Sequence, residues 1–195
     1  MTWQCLRSAI ALLSAVNLLL LQGCVPVVIG AAAAGTALVA TDPRTTGSQV
    51  DDEVVEDKIS YTINQRFKGD FHVNVTSYNG VVLLTGEVPA DTAKADIESI
   101  ARTTPKVRAV QDELVVGPPS DLNARSNDTL ITSKVKTRFV EANKFQINHV
   151  KVVTERGVVY LMGLVRRDEA DAAAQIASTT SGVQRVVKVF EYLPG

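Results

Sequence analysis

Apolar residues return every fourth position at Val55, Ile59, Ile63 and Phe67, and again at Ile131, Val135 and Phe139. That spacing places each set on one helical face and predicts two amphipathic helices, with Asp52 and Asp128 standing where N-caps are expected. After the first helix the period falls to two. Phe71, Val73 and Val75 alternate with polar residues, Asn79-Gly80 interrupts, and Val81 to Thr85 returns, the signal of a hairpin closed by a two-residue turn. Arg156-Gly157 holds the matching place later in the chain and is the weaker turn signal. Gly86 and Gly163 are expected to end the middle strands where the chain turns into a second helix. In the later copy that helix carries Ala170, Ala173, Ala174 and Ala177 on one face, small enough to lie close on a sheet. Val-rich segments, Val107–Val116 and Val183–Tyr192, close each copy as a last strand.

The two halves are therefore copies of one unit. Asn74-Val75-Thr76-Ser77-Tyr78-Asn79-Gly80-Val81-Val82-Leu83-Leu84-Thr85-Gly86 is echoed by Lys151-Val152-Val153-Thr154-Glu155-Arg156-Gly157-Val158-Val159-Tyr160-Leu161-Met162-Gly163. The fold class this predicts is α+β: helix, strand, strand, helix, strand in each copy, with both helices on one face of a three-stranded sheet, because a right-handed crossover puts them there. The expected domains are 50–117 and 126–195, separated by a linker, 118–125, that follows Gly117 with Pro118-Pro119-Ser120. Each unit is small enough that its burial is marginal, so the copies are expected to lean on each other.

Residues 1–23 read as a secretory signal: Arg7, an apolar middle from Ala9 to Leu21, and a small-residue exit. Leu21-Gln22-Gly23-Cys24 resembles a bacterial lipobox, which makes Cys24 the lipidated first residue after cleavage. The competing reading is an uncut anchor, since Val25 to Ala40 is also free of charge. Gly23, Pro26, Gly30 and Gly35 weigh against one continuous spanning helix. Residues 24–49 are read instead as a mobile tether. Cys5 leaves with the signal and Cys24 is blocked by lipid, so no thiol remains to form a disulfide.

Composition narrows the partners. A net charge of −1, with no basic stripe interleaved with aromatics, disfavours nucleic acid. His72 and His149 occupy matching repeat positions, but one histidine per copy without a second ligand is a poor metal set, and no metal or cofactor is expected. Glu87 with Asp91, and Asp168 with Glu169, resemble carboxylate pairs, yet acids are favoured near helix N-termini in any case. No P-loop, dinucleotide fingerprint or nucleophile elbow is present, so no enzyme is expected.

The first helices of the two copies differ in charge. Asp51, Asp52, Glu53, Glu56 and Asp57 dominate the first, whereas Lys134, Lys136 and Arg138 mark the second. Leu130, Lys134 and Arg138 recur one position off the buried stripe, with Ser133 and Thr137 beside them. That pattern fits an interfacial contact with an anionic bilayer. It fits a solvated charged face equally well.

The blocks Gly-Val-Val-Leu-Leu-Thr-Gly-Glu-Val and Gly-Val-Val-Tyr-Leu-Met-Gly-Leu-Val, with the Val-rich final strands, resemble BON domains. A lipobox followed by two such domains is similar to the dual-BON outer-membrane lipoproteins. The resemblance extends over essentially the whole chain, including Thr41-Asp42-Pro43-Arg44 and Ser126-Asn127-Asp128-Thr129. It implies a mixed sheet in each domain, binding of anionic phospholipid through the second domain, and support of envelope integrity near the division site. Val25 after Cys24 fits sorting to the outer membrane in that family. The candidate lipid contacts are then Leu130, Ser133, Lys134, Thr137 and Arg138. The alternative is an adaptor, docking an envelope protein or peptidoglycan through the same helix or through the acidic helix of copy one. Oligomeric state is not legible.

Overall fold

The computed structural model describes residues 42–69 and 71–194. The signal segment, Cys24 and the expected tether up to Thr41 lie outside the described residues. Each copy folds as helix, strand, strand, helix, strand: α1 (Thr46–Arg66), β1 (His72–Tyr78), β2 (Val81–Val88), α2 (Asp91–Thr103) and β3 (Ala109–Val116), then α3 (Leu122–Ala142), β4 (Val150–Glu155), β5 (Val158–Val165), α4 (Arg167–Ser178) and β6 (Arg185–Tyr192). The sheets run β1-β2-β3 and β4-β5-β6. In each, the hairpin pair is antiparallel and the pair joined through a helix is parallel, with Val82 opposite Val110 and Val159 opposite Val186. The mixed sheet follows from connection length, since a hairpin reverses the chain and a helical crossover restores its direction.

Both long helices begin earlier than the capping signal suggested. α1 is capped by Thr45, whose Oγ1 accepts the Ser48 N–H at 3.1 Å, and α3 by Asp121, whose Oδ1 accepts the Ala124 N–H at 2.7 Å. Leu122 to Arg125, expected in the linker, are helical. Asp52 and Asp128 therefore lie inside helices and are buried. Their carboxylates face the hairpin turns, as described below.

Val55, Ile59 and Ile63 of α1 meet Ala93, Ile97, Ile100 and Ala101 of α2 over Val82, Leu84, Val88 and Leu114. The second domain repeats this with Ile131, Val135 and Phe139 against Ala170, Ala173 and Ala177 over Val159, Leu161 and Val165. Both helices of each domain thus cover one face of their sheet. The opposite faces, which no helix covers, bury Tyr78 and Leu83 against Tyr160 and Met162. This third core joins the two domains and removes from water apolar surface that neither small unit could cover alone.

Gly86 and Gly163 do not end the middle strands, which run on to Val88 and Val165. Gly86 lies opposite Val73 and Gly163 opposite Val150. A Cβ at either would collide with the carbonyl oxygen of His72 or His149, so close approach of the edge strand is what requires glycine there.

Candidate functional site

α3 carries the candidate lipid contacts. Its core stripe fixes the rotation of the helix, leaving Leu130 59% exposed on the outward side. Ser133, Lys134, Lys136 and Thr137 are exposed with it. Among the described residues neither Lys134 nor Lys136 makes an ion pair. The hydroxyls of Ser133 and Thr137 donate back to the Thr129 and Ser133 carbonyls at 2.9 and 3.0 Å. Leu122 and Val140, exposed at 78% and 61%, extend the apolar part of this surface at its two ends. The sequence reading missed both. By sequence alone Leu122 falls in the linker, and Val140 lies off the four-residue recurrence that picks out Leu130.

Arg138 is placed differently from the other four candidates. Its Nη1 donates to the Ile176 carbonyl at 2.8 Å and to the Thr179 and Thr180 hydroxyls at 3.0 and 2.8 Å. The guanidinium closes the C-terminal end of α4, where carbonyls lack helical partners and a cation is favoured. The structure brings Leu130, Ser133, Lys134 and Thr137 to one open face and turns Arg138 into a clasp between helices.

The buried aspartates hold the hairpins to this framework. Asp128 Oδ2 accepts the Arg156 N–H and Oδ1 the Gly157 N–H, both at 2.8 Å. Asp52 does the same for Asn79 and Gly80 at 2.7 and 2.8 Å, and also accepts the Ser77 hydroxyl at 2.7 Å. The turn residues have left-handed backbones, φ 52° at Asn79 and 51° at Arg156, so each aspartate satisfies two amides that a tight turn turns inward. In the first domain Arg44 completes the arrangement. Its Nη1 lies 2.8 Å from Asp52 Oδ2, its Nη2 2.8 Å from Asp42 Oδ2, and its guanidinium carbon 3.9 Å above the Tyr78 ring. The chain entering the first domain is thereby fastened next to the interdomain core.

Polar groups ring that core. Lys151 Nζ reaches Glu56 Oε1 at 2.7 Å, Asn74 Nδ2 reaches Glu155 Oε2 at 2.8 Å, and Asn79 Nδ2 reaches Glu191 Oε2 at 2.8 Å. Burial raises the Glu155 carboxyl above its usual range, against the Asn74 hydrogen bond that lowers it. His72 stands 3.7 Å from Glu155, and burial together with the Arg125 charge lowers its imidazole below the ordinary value. This histidine belongs to the domain joint, as does Glu87, whose Oε2 accepts the Ser120 N–H at 3.0 Å. Glu169 serves its own helix, accepting the Arg166 N–H at 2.9 Å.

Each of the two repeats matches a known family. A model described as the BON domain matches residues 51–118 and 127–194. The chain belongs to the BON-domain family. It is 43% identical to Outer membrane lipoprotein DolP of Haemophilus influenzae, over 89% of this chain and 90% of that protein. It is 35% identical to the 21 kDa hemolysin of Actinobacillus pleuropneumoniae, over 78% of this chain and 79% of that protein. Among solved structures, CdsD, a structural protein of the Type III secretion system of Chlamydia trachomatis, aligns at 13% identity and a TM-score of 0.31, covering 71% of this chain and 92% of that one. This BON pair is of the DolP type, a lipid-anchored protein of the outer membrane. Among its described residues no helix is long and apolar enough to cross a membrane.

Proposed function

We propose that this BON protein is a non-catalytic membrane-recognition module that binds anionic phospholipid through the open face of α3 and supports outer-membrane integrity, including at the division site. The observation that carries the reading is Leu130, 59% exposed beside lysines that make no ion pair among the described residues. An exposed leucine flanked by unpaired cations gains from both the acyl boundary and the headgroup charge of an anionic bilayer. Lys134 and Lys136 contribute about 1 kcal/mol each near such a surface. Insertion of Leu130 adds roughly 2 kcal/mol. The sum is a weak, reversible contact, suited to discriminating between membrane regions rather than to holding the protein.

Holding falls to lipid on Cys24, whose acyl chains gain about 0.8 kcal/mol per buried methylene. Because Arg44 fastens the chain at the first domain, the span available between anchor and fold runs from Cys24 to Thr41, up to about 60 Å when extended. The anchor keeps α3 at a high effective concentration near the bilayer. Titration of residues 25–195, free of the acyl anchor, with phosphatidylglycerol vesicles, monitored by amide chemical shifts, tests this reading. Shifts centred on residues 122–140 support it. Equal shifts with phosphatidylcholine vesicles, or shifts elsewhere alone, overturn it.

A further inference from the structure

The face of α1 turned away from its core also carries large apolar side chains. Val50, Val54 and Tyr61 recur along one helical stripe and are 55%, 57% and 67% exposed. The outward stripe of a helix packed on a sheet is ordinarily polar, and grouped exposed apolar residues mark contact surfaces. Asp57 stands between Val54 and Tyr61 on the same stripe, with Glu53 at its edge. Among the described residues neither acid makes an ion pair or a side-chain hydrogen bond, whereas neighbouring Asp51 is taken by Lys106 and Glu56 by Lys151. Lys58 flanks the stripe on the other side. Beside Val54 a hollow of about 130 Å³ opens between Val55, Thr104, Pro105 and the two lysines, Lys58 and Lys106.

The repeat shows what has changed. Val54 corresponds to Leu130 of α3, Lys58 to Lys134 and Tyr61 to Thr137, while Glu53 and Asp57 replace Thr129 and Ser133. The same face has become more apolar and has acquired two carboxylates. Pressing Val54 and Tyr61 into an anionic bilayer would carry Asp57 and Glu53 against like charge and strip them of water, which disfavours lipid as the occupant. A protein segment with a Lys or Arg between apolar residues answers both features. Its cation meets Asp57, and its apolar side chains cover Val54 and Tyr61, tyrosine being a frequent anchor of such contacts.

We infer that this α1 stripe is a second docking surface, one that takes a basic amphipathic segment of a partner protein. The inference stands independently of the lipid reading for α3. Two synthetic amphipathic peptides, identical except for a central Arg or Glu between leucines, test it against the mature protein by amide chemical shifts. The expected result is shifts over residues 50–61 with the Arg peptide, at least threefold tighter than the Glu peptide. Asp57→Lys should reverse that order and leave vesicle binding by α3 unchanged. Asp57 is exposed, so the variant keeps its fold, which an unchanged spectrum elsewhere verifies. Equal binding of the two peptides, shifts confined to α3, or α1 shifts induced by anionic vesicles would each overturn the assignment.

Discussion

The carboxylate of Asp128 accepts the backbone N–H of Gly157 at 2.8 Å, joining the middle of a helix to the tip of a hairpin. With the Arg156 N–H on its other oxygen, Asp128 replaces solvent for two amides that the turn geometry directs inward. An unsatisfied buried amide costs about 1–3 kcal/mol. Asp128→Ala should therefore destabilise the protein by roughly 2–5 kcal/mol, and Asp128→Asn by less, because its amide oxygen can still accept one bond. Urea denaturation measures both.

Arg44 joins Asp42, Asp52 and the Tyr78 ring in one place. Arg44→Ala should cost on the order of 1–3 kcal/mol, since it leaves buried Asp52 without its cation. It should also make residues 42–45 open to protease before the rest of the fold is lost. Arg44→Lys should restore only part of the stability, because a lysine cannot bridge two carboxylates and stack on the ring at once. Limited proteolysis and thermal melting report the two effects.

The interdomain core should respond to alkali. Burial pushes Tyr78 and Tyr160 up to about 12, from an ordinary value of 10.0. Their folded values exceed the unfolded one, so the unfolded chain releases these protons first as pH rises. Stability should be unaffected by these groups below pH 10.0 and should fall between there and about 12. The loss is on the order of 2 kcal/mol per tyrosine. Tyr160→Phe should flatten that fall. Melting temperature measured across the alkaline range checks it.

Arg138 and Lys134, read from sequence as one row of cations, should separate experimentally. Arg138→Ala removes three hydrogen bonds at the end of α4 and should lower stability by about 1–3 kcal/mol. Its charge-preserving substitution by Lys should not rescue the fold fully. Lys134→Ala should leave stability within about 0.5 kcal/mol, as an exposed position does, while weakening vesicle binding several-fold. A comparison of melting curves with vesicle affinity distinguishes the two roles.

These contrasts indicate what a linear reading can reach. The helix faces of Val55, Ile59 and Ile63, the Asn79-Gly80 turn and the repeat itself were legible, because period and turn chemistry are local properties. The duties of Asp52 and Asp128 were not, since an acid near an expected helix start looks like a cap until the turn that binds it comes into place. The partners of Arg138 were hidden for the same reason. Its recurrence with Leu130 and Lys134 is real, but a long guanidinium swings to the nearest unsatisfied carbonyls, and those belong to α4. The expectation that the copies lean on each other followed from their size, whereas the pairing of Tyr78 and Leu83 with Tyr160 and Met162 depended on which sheet face the helices leave open.

Co-sedimentation of residues 25–195, purified without the acyl anchor, with vesicles containing or lacking phosphatidylglycerol is the most direct test of lipid recognition by α3, comparing the parent sequence with Leu130→Glu. The account predicts binding that needs the anionic lipid, falls as salt is raised, and is lost in Leu130→Glu while its melting temperature stays unchanged. Undiminished binding by a folded Leu130→Glu protein, or binding indifferent to lipid charge, would contradict it.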